Sequence, residues 1–281
     1  MYDYVFGSKK YIEKYPEEFL LFIKHLLPRY CNSIPDSMAI TIFREVKKIK
    51  NKKNIILETG CGASTMSLFL ACYLNKTHFI SYEINKSKVD LLKKILNQSM
   101  CKYLKVSLHK VWKPIIQSSL NKKKGIPALS KNVVFSYIDS DHNVKHIEKE
   151  ILSIKEKIKK KGVFLFDDMN LQIVEKNFNL LETIKYKKKL KNFKIQKFQP
   201  NKRILRNHFI SFLKENFSNI NEMSTYYRSN FKKDLYYKNY GIDYFYNHLS
   251  QFLFEKKLSL KGKNNLLKDR ALLVKVISKD K

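Results

Sequence analysis

Arginine is scarce in this chain. Of 56 basic residues only six are Arg; the rest are Lys, and against 25 acids they leave a net charge of +31 over 281 residues. Lys is spread along nearly the whole length, and Asn and Ile are abundant too, a bias of the kind that A/T-rich codons impose. Lys-rich helix backs are usually solvated faces, so this charge is a weak pointer to nucleic acid, although it favours anionic ligands and surfaces at low salt. Cysteine is also sparse. Cys31, Cys61, Cys72 and Cys101 show no C-x-x-C spacing, which speaks against a zinc site or a disulfide framework. No run approaches ~20 apolar residues, so no membrane span is expected. The N-terminal MYDYVFGSKKYIEKYPEEFL lacks the basic-then-apolar layout of a secretory signal, and a cytoplasmic location is the expectation. What the chain does have is core material: 44% apolar residues, with 19 Phe and 17 Tyr. That suffices for one large domain, or one domain carrying an elaborate insertion.

The informative stretch is Asn54–Glu83, NIILETGCGASTMSLFLACYLNKTHFISYE. Asn54–Leu57 is a short apolar run closed by Glu58. Thr59-Gly60-Cys61-Gly62 is a glycine turn, Ala63–Leu74 has the apolar period of a helix, and His78–Tyr82 reads as a second strand closed by Glu83. Strand, glycine loop, helix, strand and acid make the sequence form of a nucleotide-type βαβ half. Gly60 and Gly62 let the backbone bend sharply and approach a ligand. The helix start beyond them offers free N–H groups and a positive dipole end, with Ser64 or Thr65 as its cap. Glu83 follows Gly60 by 23 residues, where a carboxylate can accept hydrogen bonds from a ribose diol. Cys61 reads as a small loop residue beside the ligand, not as a nucleophile.

Glu58-Thr-Gly60-Cys-Gly62-Ala-Ser64 resembles the E-x-G-x-G-x-S/T motif of class I S-adenosylmethionine (SAM)-dependent methyltransferases, with Glu83 as the acid ending the second strand. A dinucleotide site would want a third glycine where Thr65 stands. The resemblance implies SAM bound by Glu58, Gly60, Gly62, Ser64, Thr65 and Glu83. It also implies a Rossmann-like α/β fold: a mostly parallel seven-stranded sheet with helices on both faces and a closing antiparallel hairpin.

Along the rest of the chain, helices are expected at Pro16–Leu27, from Ile34–Ser37 to about Ile49, and at Ser87–Asn97. Tyr103–His109 alternates like a strand, and a helix is expected near Lys113–Leu120. Leu108–Trp112 carries no acid where many methyltransferases place a Gly-Asp pair near the adenine; Trp112 reads as a core residue. Val133–Ile138 has the look of a central parallel strand, followed by a helix over about Val144–Lys160 with Gly162 as its stop. Val163–Phe166 is the next buried strand. Leu171–Leu190 reads as a helix, Phe193–Phe198 as a strand, Arg203–Phe217 as a helix and Ala271–Ile277 as the final strand. Tyr226–Phe254 holds a dense aromatic cluster, read as the core of inserted helices. The expected division is a helical segment over 1–53, a SAM-binding core over 54–198, an inserted cap over 199–268 and the last core strand over 269–281.

Two strand ends present acids: Asp139, Asp141 and His142 on one, Asp167 and Asp168 on the other. In an open parallel sheet, ligands bind outside the carboxyl ends of the strands. Carboxylates converging there repel unless a positive charge sits between them, and a hard cation such as Mg²⁺ suits oxygen ligands. YIDSDH followed by VFLFDDM resembles the D-G-D-H … h-D pattern of bacterial small-molecule O-methyltransferases, and the Asp-Asp pair is similar to that of the metal-dependent macrocin-type sugar O-methyltransferases. The resemblance covers about Asn54–Met169. It implies Asp139, Asp167 and Asp168 as metal ligands. Asp141 and His142 both stand near the position of the base; His142 is the choice, since a histidine titrates near working pH. Each residue also has a plainer reading: Asp139 touching cofactor or substrate, His142 capping the next helix, Asp167 a solvated strand end.

The expected function is SAM-dependent O-methylation of a small-molecule or glycan hydroxyl. One rival is an RNA methyltransferase, which needs a continuous basic, aromatic groove; the Asn-Pro-Pro-Tyr type motif used on exocyclic nitrogens is absent. The other is a SAM-binding protein without activity, which a broken acid set would suggest. Nothing in the sequence excludes a homo-oligomer.

Overall fold

The computed structural model describes residues 9–28, 30–32, 34–51, 53–130, 132–140, 143–169, 171–173, 181–183, 205–223 and 271–278. Three helices lead in: α1 (Lys9–Lys14), α2 (Pro16–His25) and α3 (Asp36–Lys47). Then come β1 (Ile55–Thr59), α4 (Ala63–Leu74), β2 (Phe79–Glu83), α5 (Lys86–Leu96), β3 (Trp112–Ile116), β4 (Val133–Ile138), α6 (Val144–Lys155) and β5 (Ile158–Phe166). A small hairpin follows, β6 (Leu171–Ile173) with β7 (Leu181–Thr183), then α7 (Leu205–Asn216), β8 (Asn219–Met223) and β9 (Leu272–Ser278).

The main sheet has seven strands in the order β3-β2-β1-β4-β5-β9-β8. The pairs from β3 to β5 are parallel; β9 runs antiparallel to both β5 and β8. Its inner strands are apolar on both faces because helices cover both. Side chains alternate accordingly. Ile56, Phe79, Phe135, Tyr137, Leu165 and Leu273 face the layer built by α2–α5, whereas Leu57, Phe164, Phe166, Leu272 and Val274 face α6 and α7. The lead-in helices are tied to this frame by Asn75, whose Nδ2 donates to the Val46 and Ile49 carbonyls at 2.9 and 2.8 Å. Lys24 Nζ, buried, lies 2.9 Å from Asp36 Oδ1 and links α2 to α3. No helix among the described residues is long and apolar enough to cross a membrane.

Several expected elements are corrected. The third strand is Trp112–Ile116, not Tyr103–His109. After α5 the chain continues through a π-turn over Asn97–Cys101 and a short turn of helix, Lys102–Leu104, because Met100 and Leu104 keep the helical spacing of buried groups. Lys105, at φ 54°, ends it. Leu108–Val111 is one more helical turn. Pro114, read as the start of a helix, sits in an edge strand, where no ladder N–H is demanded of it.

α6 stops at Lys155, five residues before its expected end. Ile158 already pairs with Val133, and the register slips before Val163 pairs with Phe135. The intervening lysines bulge outward, and Gly162 is needed there because a Cβ would meet Ile158 Cγ1 at 2.4 Å. In place of a helix across Leu171–Leu190, Leu171–Ile173 pairs antiparallel with Leu181–Thr183; Leu171-Gln172-Ile173 alternates apolar and polar, the period of a strand. Phe193–Phe198 and Tyr226–Phe254 lie outside the described residues.

The strand beside β9 is Asn219–Met223, within the stretch expected to be an insertion. α7, from the same stretch, buries Leu205, Phe209 and Leu213. Phe209 stacks on Phe166 at 6.0 Å between centroids and 4° between planes, and Phe217 meets Phe164 edge-on at 5.8 Å. Residues 205–223 therefore supply core, not cap. Phe209→Ala is expected to destabilise the whole domain by about 3–5 kcal/mol. Denaturant unfolding followed by far-UV circular dichroism checks this; a loss under 1 kcal/mol would mean that α7 is peripheral.

Candidate functional site

The carboxyl edge of the sheet is organised by the turn after β1. Gly60 adopts φ +81°, and a Cβ there would lie 2.0 Å from the Asp139 carbonyl oxygen. The protein's own backbone therefore demands glycine at this position. Gly60 N donates to Tyr82 O at 2.9 Å, and Asp139 N donates to Thr59 O at 3.0 Å. The exits of β1, β2 and β4 are thereby laced together. Gly62, in extended backbone, has its Cα face toward the Cys31 carbonyl, 3.2 Å from where a Cβ would stand. The link between α2 and α3 thus lies directly on the glycine turn.

Beneath the turn sits Glu58, fully buried. It accepts hydrogen bonds from Ser64 Oγ at 2.7 Å, Thr65 Oγ1 at 3.0 Å and Ser81 Oγ at 2.5 Å. Ser81 in turn accepts from Trp112 Nε1 at 2.8 Å, and Thr65 Oγ1 accepts from Gly62 N at 3.0 Å. Burial pushes the Glu58 pKa up to about 7, against the pull of the three hydroxyls. Of the six residues expected to hold SAM, Glu58, Ser64 and Thr65 bond to one another under the loop, while Gly60, Gly62 and Glu83 form its outer side.

Glu83 ends β2 with its side chain 10% exposed. Oε2 accepts from Cys61 N at 3.1 Å and Oε1 from Asn85 N at 2.9 Å. Lys88 Nζ stands 3.4 Å from Oε2. Burial opposes the charge on Lys88, but Glu83 and then Asp139 outweigh it and hold its pKa above the usual lysine value. The Cys61 thiol is raised well above its ordinary pKa, by burial first and then by Glu58 and Glu83, so it is no nucleophile.

At the neighbouring strand ends, Asp139, Asp167 and Asp168 each offer an oxygen within 4.8 Å of the others. Asp167 is buried, the other two half-buried. Tyr137 Oη lies 3.4 Å from both Asp139 Oδ2 and Asp167 Oδ2. Asp168 has φ 53°, a left-handed turn that Asp tolerates, and its N–H donates to Asp167 Oδ1 at 2.8 Å. Asp141 and His142 lie outside the described residues. His146 is half-buried beside Ser119 Oγ and Glu150 Oε1, 3.4 Å from each. Glu150, fully buried, also accepts from Ser140 Oγ at 2.9 Å and so braces the loop after Asp139.

The order β3-β2-β1-β4-β5-β9-β8, with only β9 reversed, decides the architecture. The fold is that of a class I methyltransferase. Residues 57–169 match a family model described as a methyltransferase domain. No curated protein matches the chain. Among solved structures, it is similar to the SAH-bound methyltransferase PaMTH1 of Podospora anserina: 15% identity, 54% of this chain, 61% of that one, TM-score 0.42. It is also similar to cofactor-bound Rv0187 from MTB: 17% identity, 55% and 66% covered, TM-score 0.39. A third is a putative rRNA-methylase from Clostridium thermocellum: 11% identity, 69% and 91% covered, TM-score 0.42. The chain spans less than two thirds of the length of the first two.

Sequence reading missed several groups around this methyltransferase-fold crevice. Neither Lys88 nor Tyr137 is marked out by a motif in the sequence. Asn32, in the link over the glycine turn, buries an amide whose oxygen and nitrogen have no hydrogen-bond partner among the described residues; Gln117, just past β3, has a buried Nε2 in the same state. No spacing rule marks any of them.

The raised pKa of Glu58 carries a pH signature. The folded state binds this proton more tightly than the unfolded chain, so the contribution is full below pH ~4.5 and lost as pH rises through about 7. Glu58→Gln is expected to flatten the fall in stability between pH 5 and 7, by an amount on the order of 3 kcal/mol. Thermal melts of both proteins across that range check it; parallel curves would show that Glu58 titrates normally.

Proposed function

We propose that the protein transfers the methyl group of SAM to a hydroxyl oxygen of a small molecule or sugar, assisted by a divalent cation. The observation that carries this reading is the approach of Gly60 to Asp139. It sets the glycine turn and the three-aspartate cluster side by side on one rim. The residues present fit both guests. On the donor side, the turn leads into the N-terminus of α4, and Glu83 has lone pairs left for a ribose diol. The buried, unpartnered amides of Asn32 and Gln117 at the same edge are polar groups of the kind a ligand satisfies. On the acceptor side, three carboxylates offer an all-oxygen set that suits a hard cation such as Mg²⁺.

In this reading the donor lies against the turn, whose glycines let it pass close to the Asp139 and Cys31 carbonyls; Glu83 fixes its sugar, and Glu58 with Ser64, Thr65 and Ser81 keeps the turn rigid. Asp139, Asp167 and Asp168 hold the cation. A cation bound there supplies the charge that orients paired acceptor oxygens and lowers the pKa of the attacking hydroxyl. His142 accepts the hydroxyl proton. The oxygen lone pair forms the new O–C bond, and the C–S pair stays on sulfur, leaving neutral S-adenosylhomocysteine (SAH). Most of the acceleration comes from orientation.

Calorimetry with SAM is the first test. Wild type should bind, and Glu83→Ala should weaken binding about tenfold or more, the scale of losing charge-assisted hydrogen bonds. Failure of wild type to bind would end the methyltransferase reading. For the cation, Mg²⁺ or Mn²⁺ should raise the melting temperature of wild type but not of Asp168→Ala. Methyl transfer, screened over sugars, catechols and RNA, should stop in EDTA and return with Mg²⁺; full activity in EDTA would contradict the role given to Asp139 and Asp168.

A further inference from the structure

Lys88 stands where a lysine is poorly placed. It lies in the first turn of α5, at the positive end of the helix dipole, where a cation is disfavoured. Its backbone N–H donates to the capping Asn85 Oδ1 at 3.1 Å. Its side chain does not run out into water; only 23% is exposed. It folds back to put Nζ 3.4 Å from Glu83 Oε2 and 6.0 Å from the centre of the Tyr30 ring. Tyr30 comes from the link over the glycine turn, and its hydroxyl accepts from Asn85 Nδ2 at 2.7 Å. The lysine is thus held by the ribose acid of the proposed donor site and by the Tyr30 ring, and the charge of Asp139 also favours its ammonium form.

We propose that Lys88 is the residue that sets the preference of this site between charged donor and neutral product. This rests on the reading of the crevice as a SAM site. SAM and SAH have nearly one shape and differ by the methyl group and the positive charge of the sulfonium. A donor whose sugar is bound to Glu83 and whose methyl faces Asp139 has its sulfur between those two acids, in the region that the Lys88 ammonium already serves. Two like charges there repel; SAH feels no such force. Lys88 therefore weakens SAM relative to SAH and makes the site prone to product inhibition. It also competes with the ribose for Glu83, which affects both ligands alike and leaves their ratio untouched.

The ratio of the SAH and SAM dissociation constants, measured by calorimetry at low salt, is the test. Lys88→Gln should shift it toward SAM by roughly three- to tenfold, the scale for like charges at such separations in a half-buried site. Lys88→Arg, which keeps the charge, should leave it near wild type. Lys88→Met keeps the alkyl stem without the charge; it should behave as Lys88→Gln and serves if that variant folds poorly. A general packing role for Lys88 would move both constants together and leave the ratio fixed. If the charge-deleting variants bind both ligands with the wild-type ratio, the inference is wrong while the SAM site stands. If wild type binds neither ligand, the functional reading has failed and this one goes with it.

Discussion

The contact between Gly60 and the carbonyl of Asp139 is the constraint on which the rest of this crevice depends. No side chain fits in it. Because the β1 exit presses on the β4 exit, the turn that leads into α4 cannot drift away from the acids that end β4 and β5. The hydrogen bonds on either side, Gly60 to Tyr82 and Asp139 to Thr59, carry the same lacing across three strands. Under this surface the Glu58 cluster joins β1, β2 and the first turn of α4 through three hydroxyls, and Trp112 extends it to the edge strand. A donor site and an acid cluster on separate loops could move independently. Here the glycine turn and the acids share a backbone contact, the fixed geometry that the proposed in-line methyl transfer requires of its scaffold.

Electrostatically, the crevice runs against the character of the chain. The protein carries a net charge of +31, yet the rim gathers Glu83, Asp139, Asp167 and Asp168. Such a concentration of one sign persists in a half-buried setting only with compensation. Lys88 provides part of it. The Tyr137 hydroxyl and the Asp168 N–H, both directed at the carboxylates, provide another part. A bound cation completes the balance in the proposed working state.

Much of this was legible in the residues because local pattern and global fold agree from Asn54 to Met169. The glycine pair, Glu83 at its spacing and the strand-end acids all fall at the edge where an α/β sheet binds ligands. Legibility failed where two local patterns compete. Tyr103–His109 alternates, but Met100 and Leu104 are better buried as a continuing helix, and the strand slips to Trp112. Residues 205–223 looked like an insertion because Phe193–Phe198 alternates more cleanly than Asn219–Met223; the decisive term was burial of Phe209 and Phe217 against Phe164 and Phe166, which no sequence window contains. The partners of Glu58 were illegible for a similar reason. Its motif position suggests a ligand contact, but its partners lie 6, 7 and 23 residues away, and only the fold reveals that they use up its oxygens.

One measurement addresses the shared pocket directly: paramagnetic broadening of the S-methyl proton resonance of bound SAM by Mn²⁺. With Mn²⁺ held by the aspartates and SAM on the Gly60 turn, the methyl signal should broaden strongly in wild type, while Asp168→Ala should leave it sharp. A methyl resonance that stays sharp when SAM and Mn²⁺ are both bound to wild type would place the two ligands in separate sites and contradict the account.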